Sequence, residues 1–351
     1  MKIAFVAPSM GFGGAERVIS ILANSFIKNH EVYILLTSKS SEISYKLDEK
    51  VQVINVFENS IIKTWMKLRK VCKQQKIDVA LAFMSTIGIF AALFLAFTKT
   101  KVIASERNDP SAKDRQNGLA VRMMEIVSRH FTDWYVFQSE GAKKYYSKTC
   151  QKKSSVILNP LDVDKLPIRC IDEVDNRIVS VGRLQPQKNH KMLIEAFSKS
   201  EAVDTHTLHI YGEGNLRTDL EKQIAELGLE GKVFLEGNSK TVHEDIKNAK
   251  LFAFTSDYEG LPNALIEAMA MGIPSISTDC SPGGARMLID DGINGRLIEC
   301  GNVSEFSKAL DDTLCDNKKL SMYGNNGTKI RDIVETEKIA SQWLDIIRKI
   351  V

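Results

Sequence analysis

VALAFMSTIGIFAALFLAF, residues 79–97, runs for 19 positions without a charged side chain, and two folds compete for it. As one segment it approaches the ~20 apolar residues that a helix needs to span a bilayer. Read in parts, Val79-Ala-Leu-Ala-Phe-Met84 is a buried strand, Ser85-Thr86 caps a helix, and Gly88–Phe97 is that helix, itself buried. The second reading continues the strand and helix alternation found on either side of it, and it makes the chain an α/β protein.

Outward from this run, Ile3–Val6, Val32–Leu36, Val51–Ile54, Val79–Phe83, Val102–Ala104 and Tyr135–Phe137 are short β-rich runs separated by helical stretches such as Ala15–Lys28. The pattern restarts after Asn159-Pro160-Leu161-Asp162 with Arg177–Val181, Leu208–Tyr211, Val233–Leu235, Leu251–Phe254 and Ser275–Ser277. Such alternation predicts mostly parallel sheets covered by helices, here two doubly wound units. The polar, irregular stretch Leu161–Asp175 is the linker. The division expected is residues 1–165, residues 166–334, and a final amphipathic helix at 335–351 with Ile339, Trp343, Ile346 and Ile347 on its apolar face. A length of 351 residues fits two domains.

Composition narrows the class. With 44% hydrophobic and 26% charged residues the chain can bury substantial cores and is neither disordered nor fibrous. Its six cysteines include no C-x-x-C pair, which argues against a zinc module, a redox dithiol or a disulfide framework and for a reducing cytoplasm. The first apolar run is too short for a signal peptide. Residues 1–165 hold 25 Lys and Arg against 15 Asp and Glu, whereas the remainder holds 22 against 29. A basic first half suits an anionic partner: nucleic acid, phospholipid headgroups or a pyrophosphate-linked substrate. Its densest patch is Ser60–Lys76, with Lys63, Lys67, Arg69, Lys70, Lys73 and Lys76, no acid, and Ile61, Trp65, Leu68 and Cys72 on one helical face. That composition fits an interfacial membrane helix, or equally a surface helix whose stripe packs inward.

Ligands of doubly wound sheets bind beyond the carboxyl ends of the strands, so the loops there carry the chemistry. Gly11-Phe-Gly-Gly-Ala-Glu16 opens a helix whose free amides could face a phosphate, though a plain tight turn fits as well. A dinucleotide fingerprint would require Gly where Glu16 stands, and no G-x-x-x-x-G-K-[ST] occurs. Val181-Gly-Arg-Leu184 with Gln187-Lys-Asn189 brings Arg183 and Lys188 toward one spot as a forked donor and a point charge for a diphosphate, unless both are solvated surface cations. In Asp257-Tyr-Glu-Gly-Leu-Pro262, followed by Asn263–Glu267, the amides of Gly260 and Leu261 face the strand end and Pro262 suits the first helical turn. Glu259 stands at the helix mouth and Glu267 in an apolar stretch, where an acid needs a partner.

The E-x7-E pair Glu259/Glu267, V-G-R-L with Q-K-N at 181–189, and G-G-A-E at 13–16, together with Ser281–Arg286 and Gly292–Gly295, resemble a GT-B glycosyltransferase of the retaining GT4 group along essentially the whole chain. The resemblance implies two Rossmann-like parallel-sheet domains facing each other across a cleft, the first binding acceptor and the second a nucleotide-sugar, with a last helix crossing back to the first. It implies a UDP-sugar donor and neither metal nor cofactor. It assigns Arg183 and Lys188 to the donor diphosphate, Glu267 to the ribose, Glu259 to the transferred sugar, and Gly260, Leu261 and Pro262 to the donor. Gly13, Gly14 and Glu16 approach from the other domain, and Gly237-Asn238 face the nucleobase. Where many relatives carry S-E-H-N, this chain has Ser105-Glu106-Arg107-Asn108, and Arg107, which stays protonated, can donate to a hydroxyl or phosphate but not serve as a base.

The function expected is retaining, metal-independent transfer of a hexosyl or N-acetylhexosaminyl group to a polyprenyl-diphosphate-linked saccharide in surface polysaccharide or lipopolysaccharide assembly. The protein would be cytoplasmic and peripheral on the inner membrane face, held there by the basic half and the Trp65 patch. No aromatic-basic or helix-turn-helix signature points to nucleic acid. A nucleotide-sugar 2-epimerase of the same fold, or a non-catalytic nucleotide-sugar-binding protein, are the alternatives.

Overall fold

Strands β1 (Lys2–Ala7), β2 (Glu31–Leu36), β3 (Gln52–Asn55), β4 (Val79–Phe83), β5 (Lys101–Ser105), β6 (Trp134–Phe137) and β7 (Ser154–Val156) form a seven-stranded sheet in the order β3-β2-β1-β4-β5-β6-β7. β8 (Arg177–Val181), β9 (Thr207–Tyr211), β10 (Val233–Gly237), β11 (Leu251–Phe254), β12 (Ser275–Thr278) and β13 (Arg296–Ile298) form a six-stranded one in the order β10-β9-β8-β11-β12-β13. All named strand pairs are parallel. The computed structural model describes residues 1–11, 13–40, 42–107, 109–110 and 118–351. Phe12 and Asn108, each inside a motif read from the sequence, lie outside them. The chain divides into unit 1, Met1–Asp162 with Val334–Val351, and unit 2, Val163–Ile333. The division after Asp162 falls three residues before the one drawn from the sequence.

β4 settles the reading of residues 79–97. It pairs with β1 on one side and β5 on the other, with Ile3 and Lys101 both opposite Val79. Met84 then turns at φ 77°, its amide tied to the Ser105 carbonyl at 3.0 Å, and a helix runs over Ser85–Leu95. Two details differ from expectation. Ser85 and Thr86 lie inside the first turn and provide no side-chain cap, and the helix stops two residues early, leaving Phe97 92% exposed. Gly88 sets how closely this helix packs: a Cβ there would stand 2.9 Å from the Ala104 Cβ, so only glycine lets the helix lie this close to β5. No described helix is long and apolar enough to cross a membrane.

Alternation along β1 builds two cores on the faces of the first sheet. Ile3 and Phe5 join Leu36, Leu81 and Phe83 beneath the helices Gly14–Phe26 and Thr336–Ile350, which contribute Ile19, Leu22, Phe26, Ile339, Trp343 and Ile347. Ala4 and Val6 join Leu35, Leu68, Cys72 and Ala91 on the other face. Trp65 belongs to this second core, 4% exposed and stacked on Phe90 at 5.3 Å. It is therefore not the membrane anchor expected of it, because burying its ring against the helix Ser85–Leu95 leaves no face for lipid. Ile61 departs from the stripe as well, at 66% exposure on the first turn of the helix Ile61–Gln75. In unit 2 the core gathers Ile178, Leu208, Ile210, Leu251, Ala253 and Ile276 with Phe197, Leu220 and Phe306 from the covering helices.

β7 and β13, three residues each, escaped the sequence reading. Both are edge strands too short for a periodic signal, and β7 is Ser-Ser-Val. In both sheets the strand order reverses, between β1 and β4 and between β8 and β11, which marks the carboxyl edge there as the place for a ligand.

Candidate functional site

At the carboxyl edge of the second sheet, the loop after β8 is seated by the loop after β9. The Gly182 amide donates to the Tyr211 carbonyl at 2.9 Å and Leu184 to Glu213 at 3.0 Å. Gly212, at φ 143°, makes this crossing possible, since a Cβ there would overlap the Gly182 carbonyl. The crossing turns Arg183 outward; its carbonyl accepts the Gln185 amide at 2.8 Å, while its exposed guanidinium has no hydrogen-bond or ion-pair partner among the described residues.

The loops after β8 and β11 are laced together residue by residue. Gln187 Nε2 donates to Glu259 Oε2 at 2.6 Å and to the Tyr258 carbonyl at 2.9 Å. Lys188 Nζ stands 3.1 Å from Glu259 Oε1, each side chain less than a fifth exposed. Asn189, at φ 46°, caps the helix His190–Ser198 by accepting from the Met192 amide, and donates to Asp257 Oδ1 at 2.7 Å. Backbone contacts close the seam: the Asp257 amide to the Gln187 carbonyl, 2.9 Å, and Thr255 Oγ1 to the Lys188 carbonyl, 3.1 Å. The Glu259 amide is held from the other side by the Ser281 carbonyl, 2.8 Å. Gly260 and Leu261 are buried, and among the described residues their amides have no acceptor, while Pro262 is the N-cap of the helix Asn263–Ala270. One cation without a partner, one held by a carboxylate, and two unclaimed amides before a helix are what a diphosphate or another compact anion binds. His190, the first residue of the helix His190–Ser198, is 3% exposed, and burial holds its pKa down at about 4.

Glu267, 7% exposed on the helix Asn263–Ala270, has the partner its apolar setting demands in His243 Nε2, 2.9 Å from Oε2. Gly237 ends β10 at φ 77° and accepts the Gly212 amide at 2.7 Å; Asn238 beside it is exposed. Arg183, Lys188, Glu259, Gly260, Leu261, Pro262, Glu267, Gly237 and Asn238 therefore all belong to unit 2. Gln187, Asn189, Asp257 and His243 are additions that the structure makes. Gln187, Asn189 and Asp257 stood inside stretches singled out in the sequence but were given no role there, whereas His243 had no signal at all.

Gly13, Gly14, Glu16 and Arg107 belong to unit 1. Tyr45 Oη accepts from the Gly13 amide at 3.2 Å and donates to the Gly13 carbonyl at 3.0 Å. The Glu16 carboxylate folds back over Gly13, and burial raises its pKa. The helix start read as open to a phosphate thus has a carboxylate of its own beside it. Arg107 turns inward. It is 8% exposed, its guanidinium lies 4.4 Å from the Phe83 ring centre and 5.7 Å from that of Trp343, and Nη1 donates to Asn159 Oδ1 at 2.6 Å. Burial lowers its pKa to about 9. Beyond β2, β3 and β4 the same unit has an open cavity of about 380 Å³ whose wall includes Thr37, Phe57, Asn59, Trp65, Thr86 and Phe90.

Among the described residues, no three His, Cys, Asp or Glu side chains gather as a metal ion would require.

Comparison with known proteins agrees with this architecture. The family described as "Glycosyl transferases group 1" matches residues 167–330, the part that holds the laced loops. A Campylobacter jejuni protein named GalNAc-alpha-(1->4)-GalNAc-alpha-(1->3)-diNAcBac-PP-undecaprenol alpha-1,4-N-acetyl-D-galactosaminyltransferase is 30% identical, over 100% of this chain and 99% of its own. A second from the same organism, N-acetylgalactosamine-N,N'-diacetylbacillosaminyl-diphospho-undecaprenol 4-alpha-N-acetylgalactosaminyltransferase, is 29% identical over 98% of each. Among solved structures, Anabaena Alr3699/HepE in complex with UDP superposes with a TM-score of 0.85 over 99% of this chain and 100% of that one, at 18% identity. With two doubly wound parallel sheets of the GT-B kind and full-length similarity to such enzymes, the chain belongs to the group 1 glycosyltransferases.

Proposed function

We propose that this glycosyltransferase takes a hexosyl or N-acetylhexosaminyl group from a UDP-sugar and places it, with retention and without a metal, on a polyprenyl-diphosphate-linked saccharide in surface polysaccharide assembly. The observation that carries the reading is the Gln187/Lys188/Glu259 lacing beside the unpartnered Arg183 and the amides of Gly260 and Leu261. The names of the two Campylobacter relatives, which specify undecaprenyl diphosphate and N-acetylgalactosamine, and the UDP in the Anabaena structure support it.

The anomeric carbon–oxygen bond to the β-phosphate breaks and the diphosphate leaves with its charge, through an oxocarbenium-like transition state. Arg183, Lys188 and the two amides take up that charge, the part a metal would otherwise play. Glu259, held by Gln187 and Lys188, orients the donor sugar. The departing phosphate accepts the proton of the attacking hydroxyl on the face it leaves, which keeps the configuration. Glu267 accepts the ribose hydroxyls, and Gly237-Asn238 flank the base. In unit 1 Arg107 acts from within through the Phe83 and Trp343 packing, and the cavity of about 380 Å³ takes the acceptor saccharide.

The protein works peripherally on the inner face of the cytoplasmic membrane. Ile62, Met66, Lys70 and Lys73, on one exposed side of the helix Ile61–Gln75, replace Trp65 as the contact.

The test is incubation with UDP-N-acetylgalactosamine, UDP-galactose and UDP-glucose on synthetic undecaprenyl-diphosphate saccharides, with and without EDTA. Product with the α linkage by NMR, undiminished by EDTA, is expected. A β linkage would overturn retention, loss with EDTA would overturn metal independence, and UDP-sugar turnover without any acceptor would favour an epimerase.

A further inference from the structure

The connection from β10 to β11 must pass over β9 and β8 in the second sheet. The short helix Val242–Ile246 lies on that connection and brings His243 to Glu267, 24 residues away in sequence. The contact, Nε2 to Oε2 at 2.9 Å, ties that connection to the helix Asn263–Ala270, which follows β11. Glu267 is 7% exposed, whereas the His243 side chain keeps 27% of its surface, so the imidazole lies on the solvent side of a carboxylate that is otherwise inside the unit.

Burial makes an ionised carboxylate costly unless charge or hydrogen bonds hold it. A carboxylate free to rotate on a helix also presents its lone pairs in many directions, and a ligand would lose affinity in fixing it. We infer that His243 is a positioning residue for nucleotide recognition: its Nε2–H fixes the plane of the Glu267 carboxylate so that the ribose hydroxyls meet an acceptor already in place. The inference rests on the assignment of Glu267 to the ribose made above.

Binding of UDP, GDP and ADP to the full chain is measured by calorimetry, with thermal unfolding run on each variant. His243→Ala is expected to weaken the preferred nucleotide about tenfold. His243→Gln, whose Nε2 can occupy the same position and donate, restores most of that affinity, and His243→Ala in a Glu267→Ala background adds no further loss. An unchanged Kd in His243→Ala overturns the inference, as does equal weakening with and without Glu267. If His243→Ala lowers the unfolding temperature and leaves Kd alone, His243 is only structural and the inference fails. A wild-type chain that binds none of the three nucleotides overturns the nucleotide-sugar reading itself, an outcome separate from all of these.

Discussion

Arg183 and Lys188, five positions apart, stand in different electrostatic states. The first is exposed and unpartnered; the second is held by Glu259 at 3.1 Å. Removing Arg183 subtracts one donor and disturbs no partner, so Arg183→Ala is expected to lower kcat/KM about 100-fold, or roughly 3 kcal/mol of transition-state stabilisation, with an unchanged unfolding temperature. Gln187 donates to the same carboxylate as Lys188 without contributing charge. Gln187→Ala should therefore reduce kcat about tenfold and leave UDP affinity within twofold, checked by steady-state kinetics beside calorimetry. Residues of this kind mark the limit of reading one chain. Arg183, Lys188, Glu259 and Glu267 were legible because charge in a strand-end loop, or inside an apolar helix, has few structural reasons to be there. The bond between Gln187 and Glu259 spans 72 residues, and nothing about an amide in a polar loop says where it will donate. Arg107 was legible as a cation that cannot act as a base, but its inward turn depends on Phe83 and Trp343, which converge only through the fold.

Elements bring their own tests. The helix His190–Ser198 begins at the laced loop and carries a buried imidazole that stays neutral to about pH 4, while in the unfolded chain it takes a proton near 6.5. Because the folded value is the depressed one, stability is complete above about pH 6.5 and falls as the pH drops toward about 4. Unfolding temperatures measured across that window should decline in the wild type and decline less in His190→Leu. The helix Ile61–Gln75 makes the membrane prediction specific: Met66→Glu should reduce sedimentation with anionic liposomes at low salt several-fold without changing the unfolding temperature, while Lys70→Glu weakens binding and makes what remains less sensitive to salt. Its inward stripe of Leu68 and Cys72 was evident from spacing. Trp65 was misread because amphipathic composition is the same whether the apolar face meets lipid or the helix Ser85–Leu95. The start of that neighbouring helix was also blurred, since positive φ at Met84 is imposed by its bond to Ser105 and not by a capping side chain.

At the scale of the molecule, unit 1 is built from two separate pieces of chain, with all of unit 2 between them. The returning helix Thr336–Ile350 buries Trp343 completely against the first sheet, stacked 5.8 Å from Phe83. Trp343→Ala is expected to cost about 3–5 kcal/mol in denaturant unfolding of unit 1, and removal of residues 336–351 to abolish its cooperative transition while leaving that of unit 2 in place. The doubly wound architecture was readable from alternation alone, and so was the amphipathic character of this helix, because both depend on local period. Which sheet the helix covers is a matter of topology that no period encodes. The discontinuity also reverses the usual order of events on the ribosome, where domains generally mature in the order in which they emerge. Unit 2 has every strand it needs once Ile298 has been made, whereas the chain's earliest-made strands wait with an open seam until residues 334–351 follow. A chain halted anywhere within unit 2 therefore carries an unfinished, sticky first unit whatever the state of the second, so stalling there should expose the protein to chaperones and proteases until residues 334–351 are added.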